Sequence, residues 1–187
     1  MFKRGFLSRE PAAPEMGKRA RFEAVVIPHL GAAYNLARWL TRNDHDAEDV
    51  TQEAYLRALK FFDGFRGGDG RAWLLAIVRN TCFTWLKRNH PKEIQSTIDD
   101  QVETLESDVS PEAELIQKAD AQVIRRALED LPAEYREVIV LREMEELSYK
   151  EIAELIDIPL GTVMSRLARA RKRLQEAVIQ DTTEAAR

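Results

Sequence analysis

The stretch 148–173, SYKEIAELIDIPLGTVMSRLARARKR, holds two helical patterns separated by residues through which no regular helix can run. Ser148, followed three residues later by Glu151, forms a capping box that satisfies two orphaned amide donors at a helix start. Ile152, Ala153 and Ile156 give that helix an apolar side. Asp157-Ile158-Pro159 then breaks it, because proline lacks an amide donor and pushes its predecessor out of the α region. Beyond the break, Val163, Leu167, Ala170 and Leu174 fall, at about 100° per residue, on one narrow stripe suited to burial. Thr162, Ser165, Arg169 and Lys172 lie away from it, Arg166, Arg171 and Arg173 flank it, and no carboxylate interrupts 160–174. Two helices joined by a tight turn, the second cationic, read as a helix-turn-helix whose second helix enters the major groove. Guanidinium forks can bind guanine edges bidentately there, while lysine and serine hold phosphates and set the register. A basic face alone is also what a solvated helix shows. The capped helix and proline turn in front of it favour DNA binding.

The rest of the chain is helical in pattern, with glycine and proline sparse, so an all-α protein of one or two domains is expected over its 187 residues. A net charge of -4 is unusual for a nucleic-acid binder, but its distribution matters more than its sum. Glu93, Asp99, Asp100, Glu103, Glu106, Asp108, Glu112 and Glu114 occupy 93–114 without one lysine or arginine, so an acidic middle offsets a basic end. One cysteine, Cys82, excludes an internal disulfide and sits among apolar residues, as a small buried hydrophobe would. The longest apolar run, 73–78, is far too short to cross a bilayer, and residues 1–19 lack the apolar core of a signal peptide. A cytoplasmic protein without membrane insertion is expected, with a disordered basic tail over 1–19.

Three helices are expected between residues 20 and 91, over about 21–40, 46–62 and 71–88, with Pro28 kinking or dividing the first. The glycines of 63–70 (DGFRGGDG) separate the last two, and Pro91 closes the block. On the second helix Ala47, Val50, Ala54, Ala58 and Phe61 line one side, whereas Asp49, Gln52, Glu53 and Leu56 cluster on the other. An outward leucine among acids suits a partner surface, and a single stray exposed leucine is the plainer reading. Residues 92–114 read as a flexible acidic linker. Ser110-Pro111-Glu112 can cap and start the helix that follows. Pro132 starts another, whose Val138, Ile139 and Leu141 would pack on the helix-turn-helix.

With both halves laid out, the chain resembles bacterial RNA polymerase sigma factors of the extracytoplasmic-function group. The resemblance is carried by 45–58 (HDAEDVTQEAYLRA), 65–68 (FRGG), 73–80 (WLLAIVRN), 131–138 (LPAEYREV), 148–153 (SYKEIA) and 161–166 (GTVMSR), in that order. It spans about 20–178. It implies region 2 over 20–91, the linker over 92–114, region 4 over 115–178 and a tail over 179–187. It further implies that Asp49, Gln52, Glu53 and Leu56 meet the clamp of core RNA polymerase. Phe65 and Asn80 would hold an extruded base of the minus-ten promoter element, which needs a stacking surface and edge hydrogen bonds. Arg66, Arg71, Arg79, Lys87 and Arg88 can track its phosphates. Trp73, Phe83 and Trp85 fit either stacking platforms or core.

For the minus-thirty-five element, the resemblance implies base contacts by Met164, Ser165, Arg166, Ala168 and Arg169, with Thr162 and Lys172 on the same face. Met164 and Ala168 depart from family members that carry arginine and a bulky aromatic there, and can offer only apolar contact, for example to a thymine methyl. The expected function is therefore an alternative stress or envelope-response sigma factor, neither an enzyme nor dependent on a cofactor or metal, held by an anti-sigma factor. In the family the linker runs toward the polymerase cleft, where carboxylates can imitate nucleic acid. A solubilising connector fits the acidic composition equally. Asp44, His45, Asp46, Glu48 and Asp49 suggest a metal cluster at first sight, but adjacent helical residues point apart and cannot converge. A conventional transcription regulator is the stronger rival. It would bind duplex operator alone, whereas a sigma factor needs core polymerase.

Overall fold

Pro28 divides the first helix. The computed structural model describes residues 17–91 and 121–185, so the basic tail short of residue 17, the linker 92–114 and the Ser110 cap lie outside the described residues. Helix α1 (Lys18–Val26) passes through a 3-10 turn (Ile27–His29), with Pro28 in its first turn, into α2 (Leu30–Thr41). Asn43, whose side chain accepts from the Asp46 amide, starts α3 (Asp44–Phe61). A second 3-10 turn (Phe62–Gly64) and a glycine-rich loop lead to α4 (Gly70–Asn89), capped by Asp69. The loop turns through Gly67 and Gly68 at φ 91° and 99°, values that side chains resist. A Cβ on Gly70 would lie 2.6 Å from Val25 Cγ1, so α1 and α4 meet there only because glycine leaves the room.

Helices α2, α3 and α4 pack on one another around Leu36, Leu40, Val50, Ala54, Leu74, Leu75 and Val78. Phe61 does not join them. It is 58% exposed, while Phe62 is buried in its place. The chain tightens into the 3-10 turn at that point, and a one-residue step swings a side chain by about 100°.

The second half comprises α5 (Ala121–Asp130), α6 (Ala133–Ile139), a π-helical turn (Val140–Met144), α7 (Tyr149–Ile156) and α8 (Leu160–Ala185). Pro132 stands at the start of α6, as expected. The Ser148 amide donates to Glu151 Oε2 at 2.7 Å, and the Glu151 amide donates to Ser148 Oγ at 3.3 Å. Asp157, left-handed at φ 57°, ends α7, and the stripe Val163, Leu167, Ala170 and Leu174 is buried. Helix α8 continues through 179–185, residues expected to form a tail. Ser148→Ala removes the cap and should lower stability by about 1 kcal/mol, read as a shifted urea midpoint at unchanged slope.

The two halves also share a core. Helix α6 packs on α2, and α7 packs on α4, so the two helical units are docked rather than held apart. This docking sets the surroundings of every candidate site residue near the seam.

Candidate nucleic-acid and partner interfaces

Asp49, Gln52, Glu53 and Leu56 all stand on the exposed side of α3. The burial of Ala47, Val50, Ala54 and Ala58 on its inner side fixes that face. Leu56 is 63% exposed, and Glu53 pairs with Arg57 one turn on. Leu30, Tyr34, Gln52, Tyr55 and Leu56 border a shallow groove between α2 and α3. Leu59, also exposed, extends the apolar strip by one turn. Sequence reading passed over it, although its three-residue spacing from Leu56 places it on the same face. Among the acids imagined as a metal cluster, Asp44 pairs with Arg38 while His45 lies 3.9 Å from Asp49, so they are drawn to separate partners.

The residues expected at an unwound strand are divided by the fold. Phe65 is half-buried, stacked on Phe62 at 5.8 Å between centroids and 4.9 Å from Trp73. Its ring belongs to an aromatic cluster with Phe62, Trp73 and, through Phe62, Phe22 of α1. Arg66, Asn80, Lys87 and Arg88 are exposed. Asn80 Oδ1 accepts from Arg79 Nη1 at 3.3 Å. Trp73, Phe83 and Trp85 are partly buried against the core, and the Arg79 guanidinium covers the Phe83 ring at 4.3 Å.

Arg71 and Arg79 are engaged across the seam. Arg71 Nη2 donates to Glu145 Oε2 at 2.5 Å, and Asn35 Nδ2 donates to the other oxygen of that carboxylate at 2.8 Å. Arg79 Nε donates to Glu137 Oε1 at 2.7 Å. Glu137 is fully buried, and burial pushes its carboxyl above the ordinary range against the pull of Arg79. Cys82, buried as expected, has its thiol pushed well up by burial and then by Glu137, which leaves it unreactive. Sequence reading gave Glu137 and Glu145 no role. The unbroken apolar run Val138-Ile139-Val140-Leu141 beside Glu137 was the available signal that this acid is enclosed.

On α8, Met164 is 41% exposed and Lys172 is exposed, while Thr162, Ala168 and Arg169 are half-buried. Ser165 Oγ donates to the Thr162 carbonyl at 3.0 Å, turning back on its own helix. Arg166 Nη2 lies 2.6 Å from Glu134 Oε2, a second cation, after Arg79, held by an acid of α6. The exposed part of this face can offer an apolar contact and a cationic one to a groove.

The chain is similar in sequence and fold to known proteins. The family model described as Sigma-70 region 2 matches residues 25–91, and Sigma-70, region 4 matches residues 121–174. The chain is similar to the ECF RNA polymerase sigma factor SigE of Mycolicibacterium smegmatis, 31% identical over 165 residues, 88% of this chain and 64% of that protein. It thus spans slightly under two thirds of that relative's length. It is also similar to the ECF RNA polymerase sigma-E factor of Escherichia coli, 37% identical over 173 residues, 88% of this chain and 90% of that one. Among solved structures, the sigma factor RpoE in complex with the anti-sigma factor NepR from Bartonella quintana superposes with a TM-score of 0.64. It is 30% identical, over 84% of this chain and 96% of that chain.

Proposed function

Because the chain belongs to the extracytoplasmic-function group of bacterial RNA polymerase sigma factors, we propose that it binds core RNA polymerase and directs promoter-specific initiation as an alternative, stress- or envelope-responsive factor. It works in the cytoplasm without catalysis of its own, and an anti-sigma factor holds it until a signal arrives. The region 2 unit is taken as 20–91 and the region 4 unit as 115–178. Core polymerase docks on Asp49, Gln52, Glu53 and Leu56. Phe65 and Asn80 receive the minus-ten base, with Arg66, Arg71, Lys87 and Arg88 along the strand. Thr162, Met164, Ser165, Arg166, Ala168, Arg169 and Lys172 face the minus-thirty-five element.

The observation that carries this reading is the pairing, in one chain, of an exposed acidic face with Leu56 at its centre and a cationic helix-turn-helix. A DNA-reading module coupled to a separate protein-docking module is what polymerase-dependent recognition needs. The test is reconstituted transcription over a broad pool of candidate start regions, using purified core polymerase with and without the chain. Start sites that require the chain are expected, and their absence would falsify the reading. At a promoter so identified, Arg169→Ala should cost about 1 to 3 kcal/mol of recognition while association with core polymerase is unchanged. Equal loss on unrelated sequences would make Arg169 a phosphate contact rather than a base reader.

A further inference from the structure

Two large apolar side chains stand exposed one turn apart at the start of α8: Leu160, 47% exposed, and Met164. Neither belongs to the buried stripe of Val163, Leu167, Ala170 and Leu174. The polar side chains beside them are turned back on the protein. Ser165 Oγ donates to the Thr162 carbonyl, Arg166 Nη2 lies against Glu134, and Arg171, two turns beyond Met164 on the same flank, donates to Glu143 Oε1 at 2.8 Å. Gly161 lies between the two apolar residues, and a Cβ added there would meet nothing within 4 Å, so a base edge can come close to the backbone. The first two turns of α8 thus present to a groove an isobutyl group, a thioether and bare backbone.

The N-terminal residues of the second helix are the ones that reach base edges in a helix-turn-helix. The major groove of B-DNA offers one apolar group, the C5 methyl of thymine, and its other readable groups are hydrogen-bond donors and acceptors. Leu160 and Met164 set against those groups would desolvate them without bonding them. Set against methyls they gain by burial.

We propose that Leu160 and Met164 are specificity-determining residues that read thymine methyl groups where α8 enters the duplex. This deepens the assignment of α8 to the minus-thirty-five element and rests on it. Four residues of helix rise about 6 Å and base pairs stack about 3.4 Å apart, so the two side chains span about two base steps. The preferred element therefore carries two thymines on adjacent or next-adjacent base pairs. Arg169 and Lys172, farther along α8, supply the hydrogen-bonding and phosphate contacts that fix the register. Each methyl covered is worth about fourfold in affinity.

The test replaces thymine with uracil, which removes the methyl and leaves every donor and acceptor in place. Two pools of start regions, randomised over the minus-thirty-five window and identical elsewhere, carry either thymine or uracil in that window. Each pool is transcribed by purified core polymerase with the full chain. Transcripts from the thymine pool should be enriched in thymine at two positions within about two base steps, and uracil there should lower initiation about fourfold per position. Leu160→Ala and Met164→Ala should each erase the preference at one position. The double variant should initiate alike from both pools, at about the level of the wild type on uracil, because side chain and methyl act as one contact. Both side chains are exposed and alanine favours a helix, so the double variant is expected to fold. A wild type that initiates equally from both pools, or a double variant that still prefers thymine, would overturn the proposal.

The sigma-factor reading fails in a different way. If the wild type initiates from neither pool, that reading falls, and binding of the chain alone to the same two duplex pools decides the methyl contact. A preference for thymine that the double variant loses would sustain it, and equal binding of both pools would overturn it.

Discussion

Replacing Arg136 with leucine should lower the stability of the chain by about 2 to 4 kcal/mol, because three backbone carbonyls lose their donor together. Arg136 is fully buried, and its Nη1 donates to the carbonyls of Glu129 at 2.6 Å and Leu131 at 2.9 Å. Those oxygens lie at and just beyond the end of α5, where a helix has no partners of its own to offer. Nη2 reaches the Leu40 carbonyl at 3.3 Å, on α2 of the other half. Hydrogen bonds from a charged donor are individually strong, but the desolvated guanidinium offsets part of the gain. That cost is visible in its proton affinity: burial, and then neighbouring Arg42, hold the Arg136 pKa down to about 10. The group is still charged at neutral pH, so leucine removes a working donor rather than a neutral one. Arg136→Lys should recover less than half of the loss, since an ammonium is a point donor and cannot fork across three acceptors. Urea unfolding measures both variants, and a leucine variant within about 0.5 kcal/mol of the wild type would mean that desolvation cancels the bonds.

The elements most legible in the sequence were those fixed by local spacing. The capping box at Ser148, the break at Pro159, the buried stripe from Val163 to Leu174 and the division at Pro28 all depend on neighbours within about four residues. The inner face of α3 was legible for the same reason as far as Ala58. It slipped at Phe61, where the α-helix gives way to a 3-10 turn and the period changes. The seam between the halves was not legible. Arg79 and Glu137 are 58 residues apart, Arg71 and Glu145 are 74 apart, and Asn35 and Glu145 are 110 apart. Periodicity says which side of a helix is apolar, not which surface of a distant helix will meet it. Arg71 and Arg79 therefore read as cations open to phosphates, and Glu137 and Glu145 had no reading at all, whereas the fold sets Arg71 against Glu145 and Arg79 against Glu137.

Leu56→Ala combined with Glu53→Ala should weaken association with core polymerase by about 100-fold, or about 3 kcal/mol, with the fold intact. Neither side chain supports the interior. Leu56 is 63% exposed, and the Glu53–Arg57 pair is a surface contact within one helix, worth well under 1 kcal/mol to stability. The same exposure gives these residues their expected weight in binding. An apolar side chain held rigidly on a helix and ringed by polar groups pays little conformational entropy on association, and the surrounding polar residues exclude water once it is covered. Alanine is also a better helix former than either residue, so any loss of binding cannot be assigned to a frayed α3. Leu59→Ala serves as the graded comparison, since it lies one turn farther along the strip and is 38% exposed. Pull-down of core polymerase with the three chains should rank the wild type above Leu59→Ala, and Leu59→Ala above the double variant. Retention of the double variant at the wild-type level would move the polymerase contact off this face of α3.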